Sequence, residues 1–365
     1  MYPIIIFGLS KCCKSEIKEN RKFSSVSILV SVYNEQKVIR DRIENLISSD
    51  YSGLTYEIIV GSDGSNDKTN EILKQLEIEY SELRVEYFVT QRGKASVIND
   101  LVDLAKNEIL IFTDANTIFS KNAIQKLLNA FENKYIGGVC GRLILNESQN
   151  KLSGSINEKR YWQLETYLKK WEGKCGTVIG ANGGIFAVQK RLFEKLPVDK
   201  PVTDDFLTTM NILNKDYKFV YASDAIAFEE VAPKIKDEFR RKVRFSSTNF
   251  QTLTYLRSVL LGKGLITFAF WSHKIFRWFM PVIFILIFIL NVVLLIYGDI
   301  FWLFFLFQLS FYAISILGFL LSKISYRISL LSVPYFFLLT NVALLIGFVK
   351  FIFNKHSSSW ESTPR

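Results

Sequence analysis

From position 26 the chain alternates between continuous apolar runs and segments with helical spacing. Val26–Val32 (VSILVSV), Glu57–Gly61 (EIIVG), Leu83–Val89, Ile109–Thr113 (ILIFT) and Gly137–Leu145 are apolar, largely β-branched runs bounded by polar residues. That is the pattern of strands buried on both faces. Between them, Gln36–Leu46, a segment starting near Thr69, Ser96–Leu104 and Lys121–Phe131 carry apolar residues at helical spacing, and Asp67 is placed to cap the second of these. Strands alternating with helices predict an α/β domain, a mostly parallel sheet with helices on both faces.

Beyond about residue 264 the pattern changes. Trp278–Tyr297, Phe301–Leu321 and Leu330–Val349 are apolar runs of 20, 21 and 20 residues, interrupted by isolated polar positions such as Asn291, Gln308 and Asn341. A membrane span needs roughly 20 apolar residues, so three transmembrane helices are expected. The N-terminal run Tyr2–Leu9 is too short to span and lacks a basic flank, so it reads as a segment lying on the bilayer or packed on another element rather than a signal peptide. Lys236–Leu256 reads as a helix at the membrane surface. The predicted organisation is an N-terminal segment (1–22), an α/β domain (23–233), interfacial helices (234–275), transmembrane helices (276–353) and a tail (354–365).

Charge sharpens this division. The 365 residues carry a net charge of +10, yet from Gly264 onward only Asp299 and Glu361 are acidic. The loop Gly298–Ile300 has no cation, whereas Lys323 and Arg327 lie in the next loop and Lys274 and Arg277 precede the first span. The positive-inside rule then places the α/β domain in the cytoplasm, on a multi-pass protein of the plasma (inner) membrane. Three spans put the tail outside, although Lys350, Lys355 and Arg365 favour the inside; a re-entrant third run, broken at Pro334, is the alternative. The basic excess suits anionic membrane lipids, and with no aromatic-interleaved basic stripe no nucleic-acid partner is expected. Four cysteines without metal-ligand spacing and two histidines argue against zinc, and the thiols are expected to be reduced, with acylation of Cys12 and Cys13 as the alternative.

Polar clusters fall after three predicted strands: Tyr33-Asn34-Glu35, Asp63-Gly64-Ser65-Asn66-Asp67 and Asp114-Ala115-Asn116. Each is an ordinary turn composition taken alone. Three at successive strand ends describe a ligand site, because parallel sheets bind ligands at their carboxyl ends.

The ordered set SILVSVYNE, IIVGSDGSNDKT, QRGKASVIN, ILIFTDAN and VTDDF, followed by RRKVRFSSTNFQTL, HKIFRWFMP and the terminal WESTPR, resembles a membrane-bound member of family 2 of the inverting GT-A glycosyltransferases. The resemblance implies transfer of a sugar from a nucleotide sugar, UDP-linked in the first instance, to a lipid-linked or polysaccharide acceptor, with Mg²⁺ or Mn²⁺ as cofactor. It implies that Tyr33 and Glu35 hold the base or ribose and that Asp63 bonds the pyrimidine. Lys94, with Arg92 beside it, would contact the nucleotide phosphates. Asp114 and Asn116 would form the metal edge, Asp114 also meeting the nucleotide; here Asn replaces the second acid of the family's Asp-x-Asp, which removes one charge. Thr203-Asp204-Asp205 matches the Thr-Glu-Asp type of motif, making Asp205 the catalytic base. Asp204 and Gly183, within Gly180-Ala181-Asn182-Gly183-Gly184, would lie near acceptor or pyrophosphate. Arg241, Arg244 and Phe245 occupy the place of Gln-x-x-Arg-Trp, with Arg and Phe substituting its first and last residues.

Structural readings stand beside each of these. Glu35, Asp204 and Asp205 suit helix starts, the glycines suit a turn, and the arginines suit a basic interfacial helix. Two further functions remain open on the sequence: a processive synthase that exports its polymer, whose polar tunnel would require the chain to oligomerise, and a catalytically inactive nucleotide-binding membrane protein. A sugar nucleotidyltransferase would want a glycine-rich first loop where Tyr33-Asn34-Glu35 stands.

Overall fold

A computed structural model describes residues 1–13, 19, 23–146, 154–230, 235–323 and 329–355. Arg327, Arg365 and the terminal WESTPR motif lie outside the described residues. The strands are β1 (Ser25–Val32), β2 (Thr55–Asp63), β3 (Leu83–Phe88), β4 (Ile109–Asp114), β5 (Thr117–Phe119), β6 (Ile136–Asn146), β7 (Phe186–Gln189) and β8 (Lys218–Glu230). They make one sheet in the order β3-β2-β1-β4-β7-β6-β8-β5. Its first four strands are parallel, with Ser31 of β1 opposite Asp114 of β4 and Val32 opposite Ser62 of β2.

Alternation within each strand explains why both faces are covered. Val26, Ile28, Val30 and Val32 of β1 and Ile109 and Ile111 of β4 enter one apolar core, while Leu29, Leu110 and Phe112 enter the other. The helices α2 (Ile39–Ile47), α3 (Thr69–Glu79), α4 (Lys94–Leu104), α5 (Ala123–Asn129), α6 (Gly154–Lys174) and α7 (Asp204–Asn214) supply most of the cover. Gly61 of β2 lets α4 approach closely: a Cβ there would stand 2.4 Å from Val97 Cγ1.

Chain order runs β1, β2, β3 outward and then returns to β4 on the other side of β1, so the ligand-binding switch point falls between β1 and β4. The sheet is mixed beyond that point. β7 runs antiparallel to both β4 and β6, and β5 antiparallel to β8. Because Phe186 pairs with Phe112, β7 starts at the carboxyl end of β4, and the turn before it, Gly180–Gly184, lies at the ligand end of the sheet.

Among the described residues three helices are long and apolar enough to cross a membrane, Leu265–Tyr297, Asp299–Ser322 and Leu330–Ile352, and the protein is multi-pass. The first runs unbroken from the expected interfacial region into the span, through α9 (Leu265–Ala269), a wide turn at Phe270–Ile275 and α10 (Phe276–Leu294). Leu286, Leu290, Leu303 and Phe307 are exposed along α10 and α11 (Asp299–Lys323), as lipid-facing side chains would be. Asn291 donates to Gln308 at 2.7 Å and Gln308 to Tyr312 at 2.8 Å, so these polar groups are spent between and along helices rather than lining a channel.

The last helix, α12 (Ser329–Ile352), packs lengthwise on α8 (Ile235–Leu253). Ser246 Oγ donates to the Leu344 carbonyl at 2.8 Å, and Phe250 meets Phe348 and Phe351 at centroid distances of 4.8 and 5.9 Å. The end of α12, with Lys350 and Lys355, therefore stands on the side of the α/β domain.

The N-terminal run forms α1 (Tyr2–Cys12), which packs on α6. Tyr2 OH donates to Glu172 Oε1 at 2.6 Å, and Cys13 is disulfide-bonded to Cys175. The expectation of reduced thiols holds for Cys12 and Cys140 only. Packing of α1 brings together two cysteines 162 positions apart, a pairing that spacing does not reveal.

Candidate functional site

The loop after β1 and the loop after β2 are bonded to each other. Asn34, with φ of 54°, donates its N–H to Ser65 Oγ at 3.1 Å and accepts from the Asn66 N–H at 2.9 Å. Asn tolerates the left-handed conformation that this tight exit demands. The Glu35 N–H donates to Thr69 Oγ1 at 2.9 Å, and Asp67 accepts from the N–H groups of Thr69 at 2.9 Å and Gln36 at 3.2 Å. Asp67 thus ties the start of α3 to the first loop. Tyr33 and Glu35 are half-buried at this rim.

Asp63 ends β2 fully buried, its two oxygens accepting the N–H groups of Arg92 at 2.7 Å and Gly93 at 2.8 Å. Its carboxylate shapes the turn that launches α4. Gly93, at φ of 91°, makes that turn possible. Arg92 turns aside, lying over the Phe88 ring at 3.9 Å and pairing with Asp100.

Lys94, delivered by that turn, reaches Asp114 Oδ1 at 2.9 Å and Asp204 Oδ2 at 3.0 Å. Burial works against its charge, but Asp114, Asp204 and Asp205 outweigh it and hold the ammonium above the ordinary lysine range. Asp205 is pushed up to about 6, first by burial and next by its neighbour Asp204, against the opposing pull of Lys94 and Lys169. Its Oδ1 accepts from the Phe206 N–H at 2.6 Å.

Gly183 opens the gap between the acids. A Cβ at that position would stand 3.1 Å from Asp205 Oδ2 and 3.7 Å from Asp114 Oδ2. Two carboxylate oxygens from β4 and α7 therefore converge on one small open space. Asn116 lies half-buried two residues beyond Asp114. The acidic motif is anchored to the interfacial helix: Thr203 N–H donates to Thr252 Oγ1 at 2.9 Å, and Thr203 Oγ1 bonds Thr248 and Asn249 at 3.0 and 2.9 Å.

Arg244 and Phe245 lie one turn before Thr248 on α8, with the guanidinium 5.5 Å from the Phe245 ring centroid and that ring exposed. Arg241 pairs with Glu238 at 2.8 Å and Glu229 at 3.8 Å. The surrounding acids satisfy its charge.

Two buried cations escaped sequence reasoning. Arg42, fully buried on α2, donates to Thr113 Oγ1 and Asn45 Oδ1, both at 2.7 Å, and Thr113 in turn donates to the Gly184 carbonyl at 2.7 Å. This relay fixes the end of β4 against the glycine turn. Lys169 of α6 is buried and bonds Asn182 Oδ1, and Asn182 Nδ2 donates to the Gly141 carbonyl at 2.7 Å. The available signal was weak, since an isolated Arg or Lys in a helix normally faces water.

Asp114 Oδ2 and the Asn116 amide are hard oxygen donors of the kind a divalent cation takes, although among the described residues no group of three or more His, Cys, Asp or Glu gathers as a metal site, here or elsewhere.

The family model Glycosyl transferase family 2 matches residues 27–196. Over 245 residues the chain is 26% identical to "Probable glycosyltransferase YdaM" of Bacillus subtilis (strain 168), covering 64% of this chain and 57% of that protein. Over 256 residues it is 25% identical to a poly-beta-1,6-N-acetyl-D-glucosamine synthase of Staphylococcus epidermidis, covering 68% and 59%. The match thus spans less than two thirds of either relative. The solved structure of mannosyltransferase PcManGT from Pyrobaculum calidifontis, in complex with GDP-Man and Mn²⁺, has a similar fold, with a TM-score of 0.69 at 18% identity over 97% of this chain and 95% of that one. With the sheet order and the loops at its switch point, these likenesses show a domain of GT-A fold, matching glycosyl transferase family 2 over residues 27–196 and followed by apolar helices long enough to cross a membrane.

Proposed function

We propose that the protein transfers a sugar from a nucleoside diphosphate sugar, UDP-linked in the first instance, to a lipid-linked or polysaccharide acceptor at the cytoplasmic face of the membrane, with inversion at the anomeric carbon. The observation that carries this reading is the convergence of Asp114 and Asp205 on the gap above Gly183, with Lys94 between Asp114 and Asp204. The Asp205 carboxylate takes the proton of the acceptor hydroxyl. The oxygen so freed attacks the anomeric carbon, the bond from that carbon to the diphosphate oxygen breaks, and the nucleoside diphosphate leaves. A base titrating near 6 is ionised at neutral pH and still able to accept that proton.

Lys94 faces the charge that develops on the leaving diphosphate, and Tyr33 and Glu35 line the rim where base and ribose would lie. Asp63 acts through the Arg92–Gly93 turn that aims Lys94. Asp114 and Asn116 would hold Mg²⁺ or Mn²⁺, which supplies further charge neutralisation of the diphosphate when bound. The likeness to a mannosyltransferase solved with GDP-Man and Mn²⁺ supports both a nucleotide-sugar donor and a metal. Likeness to a polysaccharide synthase supports a glycan acceptor. Asp204, Arg244 and the exposed Phe245 ring line the acceptor approach along α8.

We take 23–233 as the catalytic unit, 234–275 as the interfacial segment and 276–353 as the membrane anchor, with Lys274 and Arg277 marking the cytoplasmic boundary. The test is release of nucleoside diphosphate by detergent-held protein from a panel of UDP- and GDP-sugars, with and without Mn²⁺ or Mg²⁺, compared with Asp205→Asn. Metal-dependent release abolished by the substitution is the expected result. Nucleotide binding with no release from any donor, in the presence of native lipid extract, would overturn it in favour of an inactive binding module.

A further inference from the structure

A cavity of about 430 Å³ opens where the segment leading to Thr203, the end of α8 and the end of α12 meet. It shares no residue with the acidic site. Lys200 and Arg257 line it, with Gln251 and Tyr255 from α8 and the turn after it, and Phe351 and Asn354 from α12 and beyond. From this arrangement we infer that the cavity binds the phosphate of an anionic membrane phospholipid.

Charge is the first support. The side chains of Lys200 and Arg257 have no ion pair or hydrogen bond to any described residue, whereas Lys242, Lys263 and Lys274 are each paired with an acid. Asp199, next to Lys200 in the chain, accepts from Tyr255 OH at 3.2 Å. Two cations facing one concavity without partners present a receptor for an anion, and a guanidinium beside an ammonium is well matched to phosphate oxygens.

The apolar wall indicates which anion. Phe351 belongs to a helix apolar enough to span the bilayer, and Leu261, Trp271 and Phe353 are exposed on the adjoining surface. Aromatic and aliphatic side chains flanked by cations occupy the headgroup level of a membrane. A phosphate held there keeps its acyl chains against that apolar surface, which a water-borne phosphate cannot do.

Occupancy would also be felt by the catalytic loop. Lys200 lies three residues before Thr203, and Gln251 adjoins Thr252, whose Oγ1 accepts the Thr203 N–H. A headgroup bridging Lys200 and Arg257 would therefore fasten both sides of the segment that presents Asp205.

The test is equilibrium binding of acyl-labelled phosphatidylglycerol to the full chain in neutral detergent, with acyl-labelled phosphatidylcholine as reference. Both cations are exposed, so Lys200→Gln with Arg257→Gln should leave the fold and nucleotide binding intact. Phosphatidylglycerol should bind the native protein more tightly than phosphatidylcholine, and the double substitution should weaken it about thirtyfold, at roughly one headgroup interaction per cation. Lys263→Gln, at a paired lysine, should leave the affinity unchanged. Equal affinity in native and double-substituted protein, or no preference over phosphatidylcholine, would overturn the inference. Displacement of the labelled lipid by inorganic phosphate at matching concentration would overturn the lipid assignment. Because nucleotide binding is read separately, failure here leaves the transferase proposal standing.

Discussion

Lys94 Nζ lies 2.9 Å from Asp114 Oδ1, joining the first residue of one helix to the last residue of a central strand. The same ammonium bonds Asp204, so a single cation holds three elements of the site in register. Removing it should both expose the acids to one another and strip the leaving diphosphate of a partner. Lys94→Met is expected to lower turnover by about two to three orders of magnitude, the scale for losing a preorganised charge donor. Single-turnover assays with saturating donor would measure it; turnover within a few-fold of native would remove Lys94 from the proposed mechanism.

The acid limb of the pH profile should report Asp205. A carboxyl pushed up to about 6 is protonated below that pH and cannot act as base, so turnover should rise tenfold per pH unit below about 6 and level off above it. Asp204 contributes to the upward push, so Asp204→Asn should move the limb to lower pH. A limb that stays in place when Asp204 is neutralised would assign the titration to another group.

Gly183 offers a separation of chemistry from stability. Alanine there would set a methyl 3.1 Å from Asp205 Oδ2, close enough to displace the carboxylate by a few tenths of an ångström and occupy the gap it faces. Turnover should fall by about a hundredfold, as misplacement near the reacting atoms does, with little change in melting temperature. Gly61→Ala should do the reverse, because its Cβ would collide with the buried Val97 side chain; about 1–3 kcal/mol of stability is expected to be lost. Parallel melting and turnover measurements decide both.

A second charge cluster lies away from the acidic site, where Glu165 of α6 meets His273 at 3.2 Å, Lys274 at 3.4 Å and Arg277 at 2.5 Å. Burial alone would raise the Glu165 carboxyl, but Lys274, His273 and Arg277 together hold it well below the usual carboxylate range. Its folded pKa is therefore lower than its unfolded value of about 4.3, so its stabilisation is full above that pH and fades as pH falls through the folded value. Glu165→Gln should reduce stability at pH 7 and flatten the acid side of the melting curve. An acid limb identical to that of the native protein would refute this assignment.

The sequence was legible wherever burial on both faces left an unbroken apolar run. VSILVSV, EIIVG and ILIFT became β1, β2 and β4 within two residues at each end, and the polar clusters after them face the switch point. The elements that escaped are those whose buried faces are polar. In α6, Glu165, Lys169 and Glu172 are all buried and bonded to partners outside the helix, so its apolar periodicity is faint. β8 extends over Lys218–Glu230 with only part of its length buried, and its pairing with β6 is irregular at Gly141, so neither a continuous run nor strict alternation appears. The antiparallel entry of β7 depends on where α6 ends, which no local pattern carries. In the site, the buried Arg42 and Lys169 and the turn that Asp63 braces depend on partners distant in sequence.

The stacking of Thr203 on α8, and of α8 on α12, has a consequence for the newborn protein. The loop presenting Asp205 takes its anchors from Thr248, Asn249 and Thr252, and the opposite face of that helix rests on Leu344, Phe348 and Phe351. A ribosome reaches those last residues about 140 positions after it has made the acids, at a synthesis rate of about 5–20 residues per second. For that interval of several seconds the α/β domain can fold, yet its catalytic loop has nothing to lean on. Insertion into the bilayer thus comes before competence, and a chain stalled or misinserted before its final helix would hold the loop that presents Asp205 without its support.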